Sequence, residues 1–311
     1  MHGKILLRAV CAQRMKNVRM ASAEAASTAS TSERVAMPRL RGEDFRHPLD
    51  QQNTSLLQSL PGLNLIAKQT LGPLSEQVLY LENISTSVLV GPEQLNRLHL
   101  LMLEAAEILD LDPPDLYIRQ DPRPNAYTLA IDGKKPFVVV HTSLVDLLTE
   151  AELQAVIAHE LGHLKCDHGI WLTLANLLAV SAIQVPGFGS FVAANIQDSL
   201  LRWLRAAELT CDRAALLVAQ DSKVVVSALM KLAGGGSSIS GELNVDAFLE
   251  QARSYDKAKS SSPLGWYLSN AQSSQLSHPL PVLRAREVDK WAETAQCKAL
   301  LRSGRKLQRK D

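Results

Sequence analysis

Five consecutive residues, His159-Glu160-Leu161-Gly162-His163, are the part of this chain best suited to chemistry. On a helix, histidines four residues apart are separated by about 400° of rotation, so both imidazoles leave one face, one turn apart. Two ring nitrogens so placed can meet a single Zn²⁺ at roughly 2.0–2.1 Å each. Glu160 projects about 100° further round the helix. There it lies beside the metal's open position, where a carboxylate can take a proton from water.

A hydrolytic zinc needs three protein ligands and one open site, so a third ligand must lie elsewhere. Residues 205–213 read Arg-Ala-Ala-Glu-Leu-Thr-Cys-Asp-Arg within a second strong helical pattern. Glu208 falls 45 residues beyond His163, enough chain for a hairpin return to the metal. Asp212 shares the face of Glu208 one turn on and can hold the other N–H of a ligand imidazole. Cys166 and Cys211 sit about one turn past His163 and Glu208, so a thiolate ligand also stays open. The three-histidine pattern in which glycine and histidine occupy 166 and 169 is excluded, because those positions are Cys166 and Gly169. His168, at the expected end of the helix, is read as complementing the helix dipole. His278 precedes Pro279 and is therefore biased to an extended or turn conformation.

The elements that must position these groups are legible in the periodicity. Thr149 and Glu152 have the spacing of a capping box, which starts the helix carrying both histidines. Apolar residues at three- and four-residue spacing predict helices over Leu65–Leu81, broken at Gly72-Pro73, and over Pro92–Leu109. Between them and Thr149 the pattern turns to β. Leu116–Ile118, Tyr127–Ile131 and Phe137–Val140, with Asp132-Gly133 as a hairpin turn, predict a small antiparallel sheet. The fold class expected is α+β, mostly helical.

Composition narrows the alternatives. The 311 residues are 46% hydrophobic and 21% charged, a composition that folds. Net charge is +1, so no whole-protein field recruits nucleic acid. Four scattered cysteines do not make a disulfide framework. The charge is uneven, however: Met1 to Arg41 carries eight basic and two acidic residues, and eleven of the twelve residues 21–32 are Ala, Ser or Thr. Such a stretch has the composition of an organelle transit segment.

HELGH at 159–163, RAAELTCD at 205–212, Asn125-Ala126-Tyr127 before the hairpin, and His278-Pro279 with Arg284 together resemble the HtpX-like family of zinc metalloendopeptidases, closest to its plant and cyanobacterial branch. The resemblance covers about residues 115 to 295. It implies a zincin-type core with two metal-binding helices and one Zn²⁺ held by His159, His163 and Glu208. It further implies Glu160 as the base, Asp212 orienting a ligand, and His278 with Arg284 supporting the oxyanion. Asn125, Ala126 and Tyr127 would pair with the backbone of a protein or peptide substrate. That branch points to a chloroplast, at plastoglobules or thylakoids, with the mitochondrion as the alternative.

The organisation expected is a transit-like disordered segment over 1–45, a metallopeptidase domain over 50–300 and a basic tail over 301–311. Members of the family commonly carry clear transmembrane helices. Here the longest uncharged tract, Gly169 to Gln197, is broken by Gln184 and Pro186-Gly187-Phe188-Gly189. The run before the break, Ile170 to Val185, is 16 residues and too short to span hydrocarbon, and the tract is expected to make peripheral lipid contact through 170–197. The function expected is zinc-dependent endoproteolysis. A catalytically silent, zinc-stabilised scaffold at a lipid surface is the alternative.

Overall fold

A computed structural model describes residues 34–59, 73–130, 135–169, 189–236, 238–261 and 279–307. Two compact units are distinguished. Of one, only Arg34, Lys306 and Leu307 are among the described residues, and there the Leu307 amide donates to the Arg34 carbonyl at 3.0 Å. Val35–Arg305 forms the other and holds every side chain discussed below.

Within this larger unit the chain runs through α1 (Gly42–Phe45), α2 (Pro48–Ser59) and α3 (Pro73–Thr86), then β1 (Ser87–Leu89) and α4 (Asn96–Ile108). Strands β2 (Asp115–Arg119), β3 (Ala126–Leu129) and β4 (Phe137–His141) follow, then α5 (Thr142–Leu147) and α6 (Glu150–Lys165). The remainder is helical: α7 (Gly189–Ala219), α8 (Ser222–Gly234), α9 (Val245–Ser260), α10 (Pro281–Ala292) and α11 (Ala295–Ser303).

The α+β, mostly helical class is borne out, with one correction to the sheet. Its order is β1-β2-β4-β3, and β2 pairs with β4 in parallel, Tyr117 opposite Val139. The sheet is therefore mixed and not wholly antiparallel. The reason is legible in β4. Phe137-Val138-Val139-Val140 is apolar without alternation, and all of β4 is buried, as a central strand requires. The β3–β4 pair is antiparallel as expected, Tyr127 opposite Val139, and leaves β3 at the sheet edge. Asp132-Gly133 lies outside the described residues. Tyr117, Phe137 and Val139 form the core on one face, with Tyr80, Tyr127 and Leu129 packed against them.

Two further boundaries shift. Gly91 and Gln94 exchange backbone hydrogen bonds in a turn, so the helix expected from Pro92 begins only at Asn96, after Leu95 takes a left-handed φ of 59°. Residues 35–45, grouped on composition with the transit-like segment, belong to the folded body: Ala36, Met37, Leu40 and Phe45 are all buried.

Helix α6 starts as predicted. The Thr149 hydroxyl accepts from the Glu152 amide, and the Glu152 carboxylate accepts from the Thr149 amide at 2.8 Å. The same carboxylate accepts from Lys231 Nζ at 2.7 Å and Ser227 Oγ at 2.6 Å, which ties the start of α6 to α8. Further along, Gly162 allows α6 and α7 to approach closely: a Cβ there would meet Ala214 Cβ and Cys211 Cα at 3.0 Å. The glycine inside HELGH is thus a packing requirement. It brings the histidine face of α6 onto the face of α7 that carries Glu208 and Asp212.

Candidate metal centre

His159 Nε2 lies 3.4 Å from Glu208 Oε2, and His163 Nε2 lies 3.4 Å from Glu208 Oε1. Four-residue spacing on α6 puts the rings side by side, with centroids 5.2 Å apart, and α7 delivers the carboxylate opposite them. Donors bound to one tetrahedral ion at about 2.0–2.1 Å stand about 3.3–3.4 Å from one another. The observed separations therefore fit one divalent ion between the three side chains.

His159, His163 and Cys211 also bring ligand atoms within 4.8 Å of one another, so a thiolate must be weighed. Burial, reinforced by the Glu208 charge, raises the Cys211 thiol well above its usual pKa, which opposes the thiolate form. Its sulfur lies 3.6 Å from His168 Nδ1, a weak contact. Glu208, which faces both Nε2 atoms, is the better third donor.

Each imidazole is held from behind. His159 Nδ1 lies 3.0 Å from Asp212 Oδ1. Asp212 is in turn gripped by Arg284, whose Nε and Nη2 donate to its two oxygens at 2.8 and 2.6 Å. Burial alone would raise the Asp212 pKa, but Arg284 and His159 together hold it down. Burial would likewise lower that of His159, yet hydrogen bonds to Asp212 and Glu208 and the Glu208 charge carry it to about 10. In the metal-free protein His159 therefore keeps a proton that a metal must displace.

His163 Nδ1 lies 3.1 Å from His168 Nδ1, and His168 Nε2 lies 3.0 Å from Asp50 Oδ2 on α2. His168, read from the sequence as complementing the helix dipole, is 4% exposed and turned inward to Asp50. Sequence reasoning misses both this contact and that of Asp50. His168 follows His163 by five residues, an offset that does not place two side chains on one helical face, and the bond to Asp50 spans 118 residues.

Glu160 is 8% exposed and accepts at Oε2 from the Thr128 hydroxyl on β3 at 2.8 Å. It lines a cleft of about 230 Å³ together with Asn125, Ala126, His159, Glu208 and Arg284. Apolar side chains of Leu144, Val156, Val225, Leu229 and Leu232 line it as well. Ala126 and Tyr127 open edge strand β3. Asn125 precedes it, and its carbonyl accepts from the His141 amide at 3.0 Å. Arg284 lines the cleft as well: its Nε and Nη2 hold Asp212, and its Nη1 stands 3.6 Å from Glu208 Oε2. His278, the transit-like residues before 34 and the tract 170–188 lie outside the described residues. Among the described residues no helix is long and apolar enough to cross a membrane.

Residues 92–292 match Peptidase family M48. Over 263 residues the chain is 69% identical to the "Plastoglobule-localized metallopeptidase 48, chloroplastic" of Arabidopsis thaliana, covering 85% of this chain and 76% of that protein. It is 31% identical over 176 residues to a "Protease HtpX homolog" of Moorella thermoacetica, covering 48% of this chain and 59% of the relative. A solved structure, S. mikatae Ste24p, overlaps 61% of this chain and 49% of its own at 17% identity. Its TM-score of 0.35 is too low to argue from.

Proposed function

Because the chain belongs to Peptidase family M48 and is a metalloprotease, we propose that it hydrolyses protein substrates with one zinc ion held by His159, His163 and Glu208, at a lipid surface in the plastid. The observation supporting zinc is the pair of 3.4 Å separations that put both Nε2 atoms against the two oxygens of one carboxylate. Two imidazoles and a carboxylate with a fourth position open to a cleft make a hydrolytic zinc set.

Bound there, zinc supplies a Lewis acid that lowers the pKa of water towards about 7 and polarises a carbonyl oxygen. The chain's own residues do the rest. Glu160 takes a proton from the attacking water and later delivers it to the leaving amine nitrogen. His278 is assigned to donate to the carbonyl oxygen as it gains charge. Asp212, gripped by Arg284, keeps His159 turned towards Glu208. The substrate lies extended along the open edge of β3, where backbone hydrogen bonds give affinity with little sequence choice. Thr128 of that strand already touches the base, so a peptide added there runs alongside Glu160.

Thr128→Val should lower kcat about 10- to 100-fold with little change in KM or zinc content. That is the cost of about 1.5–3 kcal/mol for a hydrogen bond to a charged group. Unchanged steady-state kinetics would remove Thr128 from the support of Glu160.

Metal binding should also depend on pH. The His159 pKa lies above its unfolded value of 6.5, so protonation stabilises the metal-free fold fully below 6.5 and ceases to do so as pH rises through about 10. Zinc must displace that proton, so zinc affinity should rise about tenfold per pH unit between about 7 and 9. Chelator competition at several pH values measures the slope, and a flat profile would contradict it.

The plastid assignment draws on the basic, Ser/Ala/Thr-rich start of the chain and on the name of the plant relative. Lipid contact is assigned to 170–197. The direct test of the activity is digestion of casein by the purified chain, stopped by a chelator and restored by one equivalent of zinc. Digestion unaffected by the chelator would sink it.

A further inference from the structure

Behind His163 lies a buried polar chain that the reaction itself does not use. Asp50 is 0% exposed. Its Oδ1 accepts from Trp203 Nε1 at 3.0 Å and from the Thr54 hydroxyl at 3.1 Å, and its Oδ2 accepts from the Thr210 hydroxyl at 2.7 Å. Arg46 Nη1 stands 3.7 Å from Oδ1. Every one of these neighbours can donate, so Asp50 is held as a pure acceptor. Its remaining contact, His168 Nε2 at 3.0 Å, must then carry the proton.

A neutral imidazole with N–H at Nε2 has a bare lone pair at Nδ1. That lone pair faces two neighbours, His163 Nδ1 at 3.1 Å and the weaker donor Cys211 Sγ at 3.6 Å, and the closer and stronger donor is His163, through Nδ1–H. Its own Nε2 is left unprotonated, turned towards Glu208.

We propose that Asp50 and His168 are positioning residues for the ligand His163: Asp50 fixes the tautomer of His168, and His168 fixes the tautomer and ring orientation of His163, so that Nε2 presents its lone pair to the metal. The inference rests on the ligand assignment above and extends it. His159 obtains the same service directly from Asp212, whereas His163 obtains it through an intermediate imidazole. The terminal acceptor also comes from α2, ahead of the matched residues 92–292, so a helix outside the family match completes the support of the centre.

Two measurements on the full chain test this. In the first, metal-free protein with ¹⁵N-labelled histidine is examined by NMR at a pH where His163 is neutral, the signal being assigned by its loss in His163→Gln. The expected result is a proton on Nδ1 and a bare Nε2; a proton on Nε2 overturns the proposal.

In the second, zinc affinity is measured by chelator competition. His168→Leu, which has no acceptor, should bind zinc about 10- to 100-fold more weakly. His168→Asn places an oxygen near the Nδ1 position and should recover most of that loss. Equal losses in both variants would make His168 a packing residue and overturn the proposal, as would unchanged affinity in His168→Leu. If the wild-type chain binds no zinc, the ligand assignment itself fails and takes the relay with it. A proton on Nε2 in a chain that does bind zinc removes the relay alone.

Discussion

Glu160→Gln should abolish casein cleavage, lowering kcat by at least about 10²–10⁴-fold, while zinc content stays near one per chain. The substitution keeps shape and removes only the ability to take up a proton. Glu160 sits on α6 between the two ligand histidines, yet its carboxylate leans to the sheet, where the Thr128 hydroxyl donates to Oε2. One oxygen is thereby tethered and the other is left for water in the cleft. The carbonyl oxygen of the substituted amide can still accept from Thr128, so the variant should fold and load metal as the wild type does. Turnover retained in this variant would remove Glu160 from its role. Activity absent from both proteins would favour the silent scaffold, which needs the ligands but not the base.

His159→Ala carries the second large effect, on metal and stability together. Two acidic partners meet at this ring: Asp212 at Nδ1 and Glu208 at Nε2. Its removal leaves one imidazole and one carboxylate, too few for a stable site, and opens a gap between α6 and α7. Stoichiometric zinc should be lost. Zinc at about 1,000 times its Kd contributes about 4 kcal/mol to the folded state, so Tm should fall on the order of 10 °C. The wild type stripped with a chelator should show much of the same fall, and the variant's Tm should ignore added zinc. A variant that still purifies with one zinc would overturn the ligand assignment.

What can be read from the chain and what cannot divides along physical lines. The capping box at Thr149, the one-turn spacing of His159 and His163, and the shared face of Glu208 and Asp212 are local, and helix periodicity makes them visible. Strand β4 is visible as a strand, but its parallel partner is not, since pairing of β2 with β4 depends on which strand a hairpin folds inward. The role of Gly162 needs the partner helix to be known. His168 reads as a helix-end residue from its position alone, but its environment is set by Asp50, 118 residues earlier. A lone aspartate in a polar helix carries no sequence signal of that kind. Arg284 stands near the chemistry, as the resemblance implies, but its grip on Asp212 through Nε and Nη2 is a contact over 72 residues that no local pattern shows.

The central claim is that one zinc ion is held by two imidazoles and the carboxylate of Glu208. X-ray absorption at the zinc edge on the loaded protein tests it most directly. Only nitrogen and oxygen neighbours are expected, at about 2.0–2.2 Å, with a changed coordination sphere in Glu208→Ala. A sulfur neighbour at about 2.3 Å would put Cys211 on the metal in place of Glu208 and overturn the ligand set.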